Sequence, residues 1–254
     1  MPETVQTQRV RLGERSYTIA VGQGLIDDVG PRVKEVLAPS RVGVVADATV
    51  DRLYGSRVHE GLQAAGIQAT RITFPPGEDA KTLEQVRTLY DALLEAGLDR
   101  KSAVVALGGG VTGDLAGFAA ATFMRGVPFV QVPTSLLAMV DSSSGGKTGV
   151  NLPRGKNLIG AFHQPALVLI DPATLQTLPR EELLSGLAEV VKHGVIRDAE
   201  YFGLVEAESE RILALDSEVL EPLILGSCRI KAEVVAADER EGGLRAILNF
   251  GHTL

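Results

Sequence analysis

The spacing of apolar and polar positions changes period repeatedly along the 254-residue chain, and the changes outline strands alternating with helices. Val10 and Leu12, then Tyr17, Ile19 and Val21, alternate with polar neighbours, which predicts two short half-buried strands. Val42 to Ala46 is a short apolar run ending at Asp47, as expected of a strand buried on both faces. Ile67 to Phe74, Ala103 to Leu107, Phe129 to Val132 and Leu167 to Ile170 predict further strands. Between them, Leu62 to Gly66 closes a helix on a glycine. Leu83, Val86, Leu89, Tyr90, Leu93 and Leu94 recur at helical spacing before Gly97, and Leu115 to Phe123 predicts a helix of small residues. Such alternation implies an α/β domain whose parallel sheet is covered on both faces. Past Pro179 the pattern is helical only: Glu181 to Val195, Tyr201 to Leu215 and Val219 to Ala237. The expected organisation is an α/β domain over residues 1–180 and the start of an all-helical domain over 181–254.

Composition narrows the function. A chain 45% hydrophobic and 22% charged is ordinary for a globular protein and too apolar for a disordered one. A net charge of −7 lacks the basic face of a general nucleic-acid binder, yet leaves room for a local Lys/Arg cluster that holds a small anion. The lone cysteine, Cys228, allows no disulfide within the chain, and its helical setting near Leu225 suits an inert buried thiol. The polar N-terminus is unlike a signal peptide, and no run of about 18 apolar residues exists to span a membrane. A cytoplasmic protein is expected.

Gly108 to Gly113 matches G-x-G-x-x-G after a strand and before a helix. That context lets glycine backbone approach a pyrophosphate while the helix N-terminus stabilises the anion, although a bare strand-to-helix turn has the same pattern. Asp47, at an earlier strand end, suits a ribose hydroxyl partner or a helix cap. Ser144 to Thr148 is not a P-loop, because Asp141 stands where the motif needs glycine. Lys147, Lys156 and Arg125 nonetheless cluster in what read as glycine-rich loops, which favours anion binding. Glu189, Lys192 and His193 share one helix face, a spacing that suits either a surface ion pair or a carboxylate and imidazole on a metal.

Taken together, several segments resemble the 3-dehydroquinate synthase family of sugar-phosphate cyclases. They are Pro76-Gly77-Glu78 with Lys81, Gly108 to Gly117, Arg125 to Val127, Gln131 to Thr134, Asp141 to Val150, Gly155 to Asn157, Gly186 to Lys192 and Asn249 to Leu254. The resemblance implies a Rossmann-like domain with NAD in a cleft against a helical domain. It implies NAD contacts at Asp47, Glu78, Lys81, Gly109, Gly110, Asp114, Thr134, Ser135, Asp141, Lys147, Lys156, Thr174, Thr177 and Leu178. It implies substrate contacts at Arg125, Lys147, Asn157, Lys192, Lys231, Arg245, Asn249 and His252, with Lys231 and Arg245 suited to a carboxylate. Glu189 and His252 are implied as two of three zinc (or cobalt) ligands, and His193 is not.

The implied reaction converts a seven-carbon sugar acid phosphate to a carbocycle. NAD oxidises a ring carbinol, phosphate is eliminated, the hydride returns, and an intramolecular aldol closes the ring, so the net step is a lyase step. A homodimer is expected. Sister cyclases, metal-dependent polyol dehydrogenases and a non-catalytic NAD-binding remnant are the rival readings. Members of the family carry a further histidine soon after His252 and the third ligand later still. The sequence is therefore expected to be the N-terminal two-thirds of such an enzyme, unable to turn over alone, with Leu223, Ile224 and Val234 exposed for want of partners.

Overall fold

The structure is a computed structural model and describes residues 5–251. Nine strands are present among the described residues: β1 (Gln6–Val10), β2 (Tyr17–Val21), β3 (Arg41–Asp47), β4 (Gln68–Phe74), β5 (Ala103–Gly108), β6 (Phe129–Pro133), β7 (Lys147–Leu152), β8 (Gly155–Phe162) and β9 (Leu167–Ile170). Seven form one sheet in the order β1-β2-β9-β6-β5-β3-β4. All neighbours in it are parallel except β1, which pairs antiparallel with β2 (Val10↔Tyr17) and closes one edge. The parallel sheet expected of an α/β domain is present, with one antiparallel strand added at that edge: the link from Val10 to Tyr17 is too short for a crossover, so the two strands form a hairpin.

The helices are α1 (Val29–Val36), α2 (Ala48–Val50, a single turn), α3 (Ser56–Ala64), α4 (Leu83–Glu95) and α5 (Gly110–Thr122), then α6 (Arg180–Arg197), α7 (Ala199–Ala207), α8 (Ser209–Leu213) and α9 (Ser217–Ala237). Strand side chains alternate between faces, and so do the cores. Val42, Val44 and Val105 pack with α1 and α3 through Val29, Val33, Val58 and Leu62. Val45, Val104 and Phe129 pack with α4 and α5 through Val86, Leu89, Leu93 and Leu115. A third core joins Ile19, Val21, Val168 and Ile170 to α6 and α9.

Three expectations in the chain's later part need correcting. Tyr201 to Leu215 is two helices, α7 and α8, because the chain leaves helical geometry at Glu208. Lys147, Lys156 and Asn157 lie on the β7–β8 hairpin rather than in loops; its Gly149 and Gly160 let the strands approach so closely that a Cβ on either would strike the opposite backbone. Leu223, Ile224 and Val234 are fully buried, since α9 packs on β1, β2 and α6. Exposed apolar residues of the helical part include instead Leu184, Val191 and Val195 on α6, Phe202 and Leu204 on α7, and Leu244 and Phe250 beyond α9. No helix among the described residues is long and apolar enough to cross a membrane.

Candidate active site

The parallel strands end together, and the order reverses between β3 and β5: β4 lies to one side, β6 and β9 to the other. A ligand crevice is expected beyond the strand ends at such a switch point. Asp47 ends β3 and Gly108 ends β5 next to it. Gly108 has φ +156°, and a Cβ there would lie 2.4 Å from Thr112 Oγ1, so the turn into α5 requires glycine. Gly109 caps α5 without a side-chain hydrogen bond, leaving the first-turn N–H groups for another acceptor.

The segment after β6 organises the rest. Thr134 N–H bonds to Gly108 O at 3.0 Å, Ser135 Oγ faces Gly109, and Ser142 Oγ faces Gly110. A π-helical turn (Ala138–Ser142) then carries Asp141 away from Ser142 toward α6 and α9. Asp141, Glu189 and His193 place ligand atoms within 4.8 Å of one another. The approach of α6 depends on Gly186, where a Cβ would fall 2.6 Å from Leu137 N. Further along, Gly145 O accepts from Arg245 Nη2 at 3.1 Å, and Lys147 Nζ meets Glu241 Oε2 at 2.5 Å. The fourteen residues from Thr134 to Lys147 thus touch the glycine turn and the Arg245 guanidinium, supply Asp141 to a carboxylate–imidazole cluster, and end on Lys147.

Electrostatics in the cluster are tight. Lys231 donates to Asp141 Oδ1 at 2.6 Å, while Lys192 pairs with Glu189 and donates to Leu248 O at 2.8 Å. Burial opposes charge on Asp141, but Lys231 and Lys192 outweigh it and hold its carboxyl well below the usual carboxylate range. Burial also brings His193 down to about 4 despite Asp141, and Lys231 and Lys192 add to that fall. His193 is therefore neutral near pH 7. It is fully buried, and neither ring nitrogen has a hydrogen-bond partner among the described residues. That breaks the rule that buried polar atoms are satisfied and marks a place for an electrophile. His193, set aside as a ligand on resemblance, belongs to the cluster the structure assembles; Asp141, expected at NAD, belongs to it too. The i+3 ion pair of Glu189 with Lys192 is present as well, but largely buried rather than at the surface where the sequence placed it.

Beside the cluster lies a cavity of about 400 Å³ lined by Asp114, Lys147, Thr148, Asn157, Phe162 and Glu241. Lys81, nearly buried, bridges Asp114 (2.5 Å) and Asn157 Oδ1 (2.5 Å). Burial raises the Asp114 carboxyl above its ordinary pKa, with Lys81 opposing. Glu78 accepts from Asn151 at 2.7 Å and faces Lys156 at 3.7 Å. Arg245 is buried and turned inward onto Glu239 O and Gly145 O; Asn249 donates to Glu241 at 3.0 Å.

Other expected residues sit apart or serve the fold. Asp47 Oδ1 accepts from Thr49 N–H (2.8 Å) and Val50 N–H (3.1 Å), the helix-cap alternative. Thr174 and Thr177 follow β9 with their hydroxyls used internally, on Asp171 O and beside Tyr54 OH, and Leu178 packs on the helical core. Arg125 lies on the tight turn after α5 at φ +72°, forms no hydrogen bond or ion pair with described residues, and does not line the cavity. His252 lies outside the described residues. Sequence reasoning missed Glu241 and Asp238; an acidic residue in a polar loop carries no periodic signal.

Comparison with known proteins places the layout. The profile of the 3-dehydroquinate synthase N-terminal region matches residues 71–185, and that of its C-terminal region matches residues 186–254. The 3-dehydroquinate synthase of Symbiobacterium thermophilum is 59% identical over 246 residues, 96% of this chain and 69% of that protein. A 2-epi-5-epi-valiolone synthase from Streptomyces hygroscopicus subsp. jinggangensis, solved with NAD+ and Zn2+ bound, superposes with a TM-score of 0.85 at 34% identity, covering 95% of this chain and 67% of its own. A 2-deoxy-scyllo-inosose synthase complexed with carbaglucose-6-phosphate, NAD+ and Co2+ gives 0.87 at 27% identity, covering 97% and 67%. Glycine turn, strand-end crevice and adjoining helical cluster define a fold of the sugar-phosphate cyclase class. Within that class the chain belongs to the 3-dehydroquinate synthase family.

Proposed function

We propose that this chain carries the NAD, metal and substrate groups of a 3-dehydroquinate synthase, which converts 3-deoxy-D-arabino-heptulosonate 7-phosphate to 3-dehydroquinate and phosphate. The carrying observation is the stretch from Ala138 to Lys147, which adjoins the glycine turn, the buried cluster and the cavity lined by Lys147 at once. The division of labour follows: residues 1–180 hold the dinucleotide and lend Asp141 to the metal and Lys147 and Asn157 to the substrate, and residues 181–254 begin the helical part that supplies the remaining metal and substrate groups.

The residues fit both groups. Gly109 and Gly110 leave space that a side chain would fill against Ser135 and Ser142, as a pyrophosphate cradle needs. Asp141, Glu189 and neutral His193 are hard-to-borderline donors suited to zinc or cobalt, and His252 joins them on resemblance. Binding an ion there requires Lys192 and Lys231 to share or yield their carboxylates. When bound, NAD supplies a hydride acceptor that is restored each turnover, and the metal supplies a Lewis acid. The chain's own side chains do the rest. Lys147, Asn157 and Asn249 hold the phosphate, and Arg125 is the further residue implied for substrate. Lys231 and Arg245 hold the carboxylate. Lys192, beside Glu189, orients the carbinol. Glu78, Lys81, Asp114 and Lys156 hold the outer side of the cofactor crevice.

The protein is further proposed to be a cytoplasmic homodimer. The test measures phosphate release from the heptulosonate phosphate by the full-length protein, with NAD and zinc supplied or a chelator added. Release that requires both groups, with no accumulation of NADH, supports the reading. Stoichiometric NADH places the protein among the polyol dehydrogenases instead.

A further inference from the structure

We propose that Asp238 is the positioning residue of the substrate-facing loop, its carboxylate holding the turn that delivers Glu241, Arg245 and Asn249. The inference rests on the functional reading of that loop. Helix α9 stops as Asp238 leaves helical geometry (φ −150°, ψ 80°). The chain must then reverse within seven residues to place Arg245 against Gly145 and Glu241 against Lys147. It does so through an unfavourable conformation: Glu241, not a glycine, sits at φ +61°.

Backbone donors in this turn have no strand or helix to accept them. Asp238 accepts three: Gly242 N–H on Oδ1 at 2.8 Å, and Gly243 and Arg245 N–H on Oδ2 at 2.8 and 3.0 Å. A carboxylate that gathers several successive N–H groups templates the loop around it, as charge-assisted bonds are the stronger kind. Arg245 N–H and then Gly242 N–H are the main causes holding the Asp238 carboxyl below the usual carboxylate range. Other anchors act elsewhere. Glu239 ties the loop's start to Arg15 (2.7 Å) and Gln164 (3.0 Å), and the Arg245 guanidinium ties its own tip. Among the described residues, only Asp238 shapes residues 242–245 through their N–H groups. The Gly108–Gly110 turn shares none of these bonds, so loss of Asp238 should separate substrate placement from cofactor binding.

The test compares wild type, Asp238→Ala and Asp238→Asn in the full-length protein. Asp238→Ala is expected to raise KM for the heptulosonate phosphate at least tenfold, with NAD affinity within twofold of wild type. Asp238→Asn, which keeps one carbonyl oxygen, should recover part of the loss. Amide exchange at Gly242, Gly243 and Arg245 should accelerate in Asp238→Ala while α9 amides keep their protection. A wild-type KM in Asp238→Ala overturns the proposal, whether or not exchange changes. So does joint loss of NAD affinity and α9 protection, which marks a folding role. Absence of phosphate release from wild type is failure of the functional reading instead, and the exchange pattern still decides what Asp238 does.

Discussion

Lys81→Met tests whether the buried pair beside the cavity behaves as its environment requires. The substitution keeps the aliphatic stem and removes a charge whose side chain is 5% exposed and 2.5 Å from Asp114, itself 19% exposed. Asp114 is then buried without a counter-charge. Breaking a buried pair by removing one partner costs about 3–5 kcal/mol. Protonation caps the cost: neutralising a carboxyl of ordinary pKa at pH 7 takes about 4 kcal/mol. Residual hydration of Asp114 favours the lower figure, about 3 kcal/mol, which for a chain of this size lowers Tm by roughly 6–12 °C. The pH dependence has a fixed sign. The folded pKa of Asp114 lies above its unfolded value, so the folded state keeps a proton that the unfolded chain has lost, and stability falls as pH rises through that window. Losing Lys81 raises the folded pKa further and widens the window, so the deficit is large at pH 7.5 and shrinks at pH 5. Calorimetry of wild type, Lys81→Met and Lys81→Met/Asp114→Asn at both pH values measures it. A Tm drop under about 2 °C at pH 7.5, or a double variant no more stable than Lys81→Met, would refute the reasoning.

Two further outcomes are expected. Lys147→Ala should leave Tm within about 2 °C, because its half-exposed pair with Glu241 contributes under ~1 kcal/mol, yet lower turnover of the full-length protein by orders of magnitude; normal turnover removes Lys147 from the site. Cys228 is buried, and burial pushes its thiol up to about 12, so a thiol reagent should label it only on unfolding; rapid labelling of the native protein would contradict the packing of α9.

Much of the sheet was legible because its strands are fully buried apolar runs followed by glycine or a charged residue, as in Val42 to Asp47 and Ala103 to Gly108. The β7–β8 hairpin was not: its alternation is interrupted by Gly149, Gly160 and Lys147, so it reads as loop. The break between α7 and α8 was hidden because helical spacing continues across Glu208. Gly108 to Gly113 announced a ligand turn through local pattern alone. The meeting of Asp141 with His193 could not be read that way, since no local period relates positions on a π-helical turn and on α6. Resemblance supplied most site residues. Packing then showed which of them touch, and that Asp47 and Thr177 also have ordinary structural work.

The sheet order has a consequence in time. β2 pairs with β9, Thr18 beside Leu167, so the ribosome makes the second strand about 150 residues after the first. At ~5–20 residues per second this is a wait of roughly 8–30 s. During it, β3 to β6 emerge and can pair among themselves, while the N-terminal hairpin has no neighbour for its Ile19 and Val21 row. The earliest-made part of the protein is thus the last to be enclosed. A nascent chain that stalls before Leu167 presents an open strand edge to whatever passes, which makes this hairpin the natural place for a chaperone to hold.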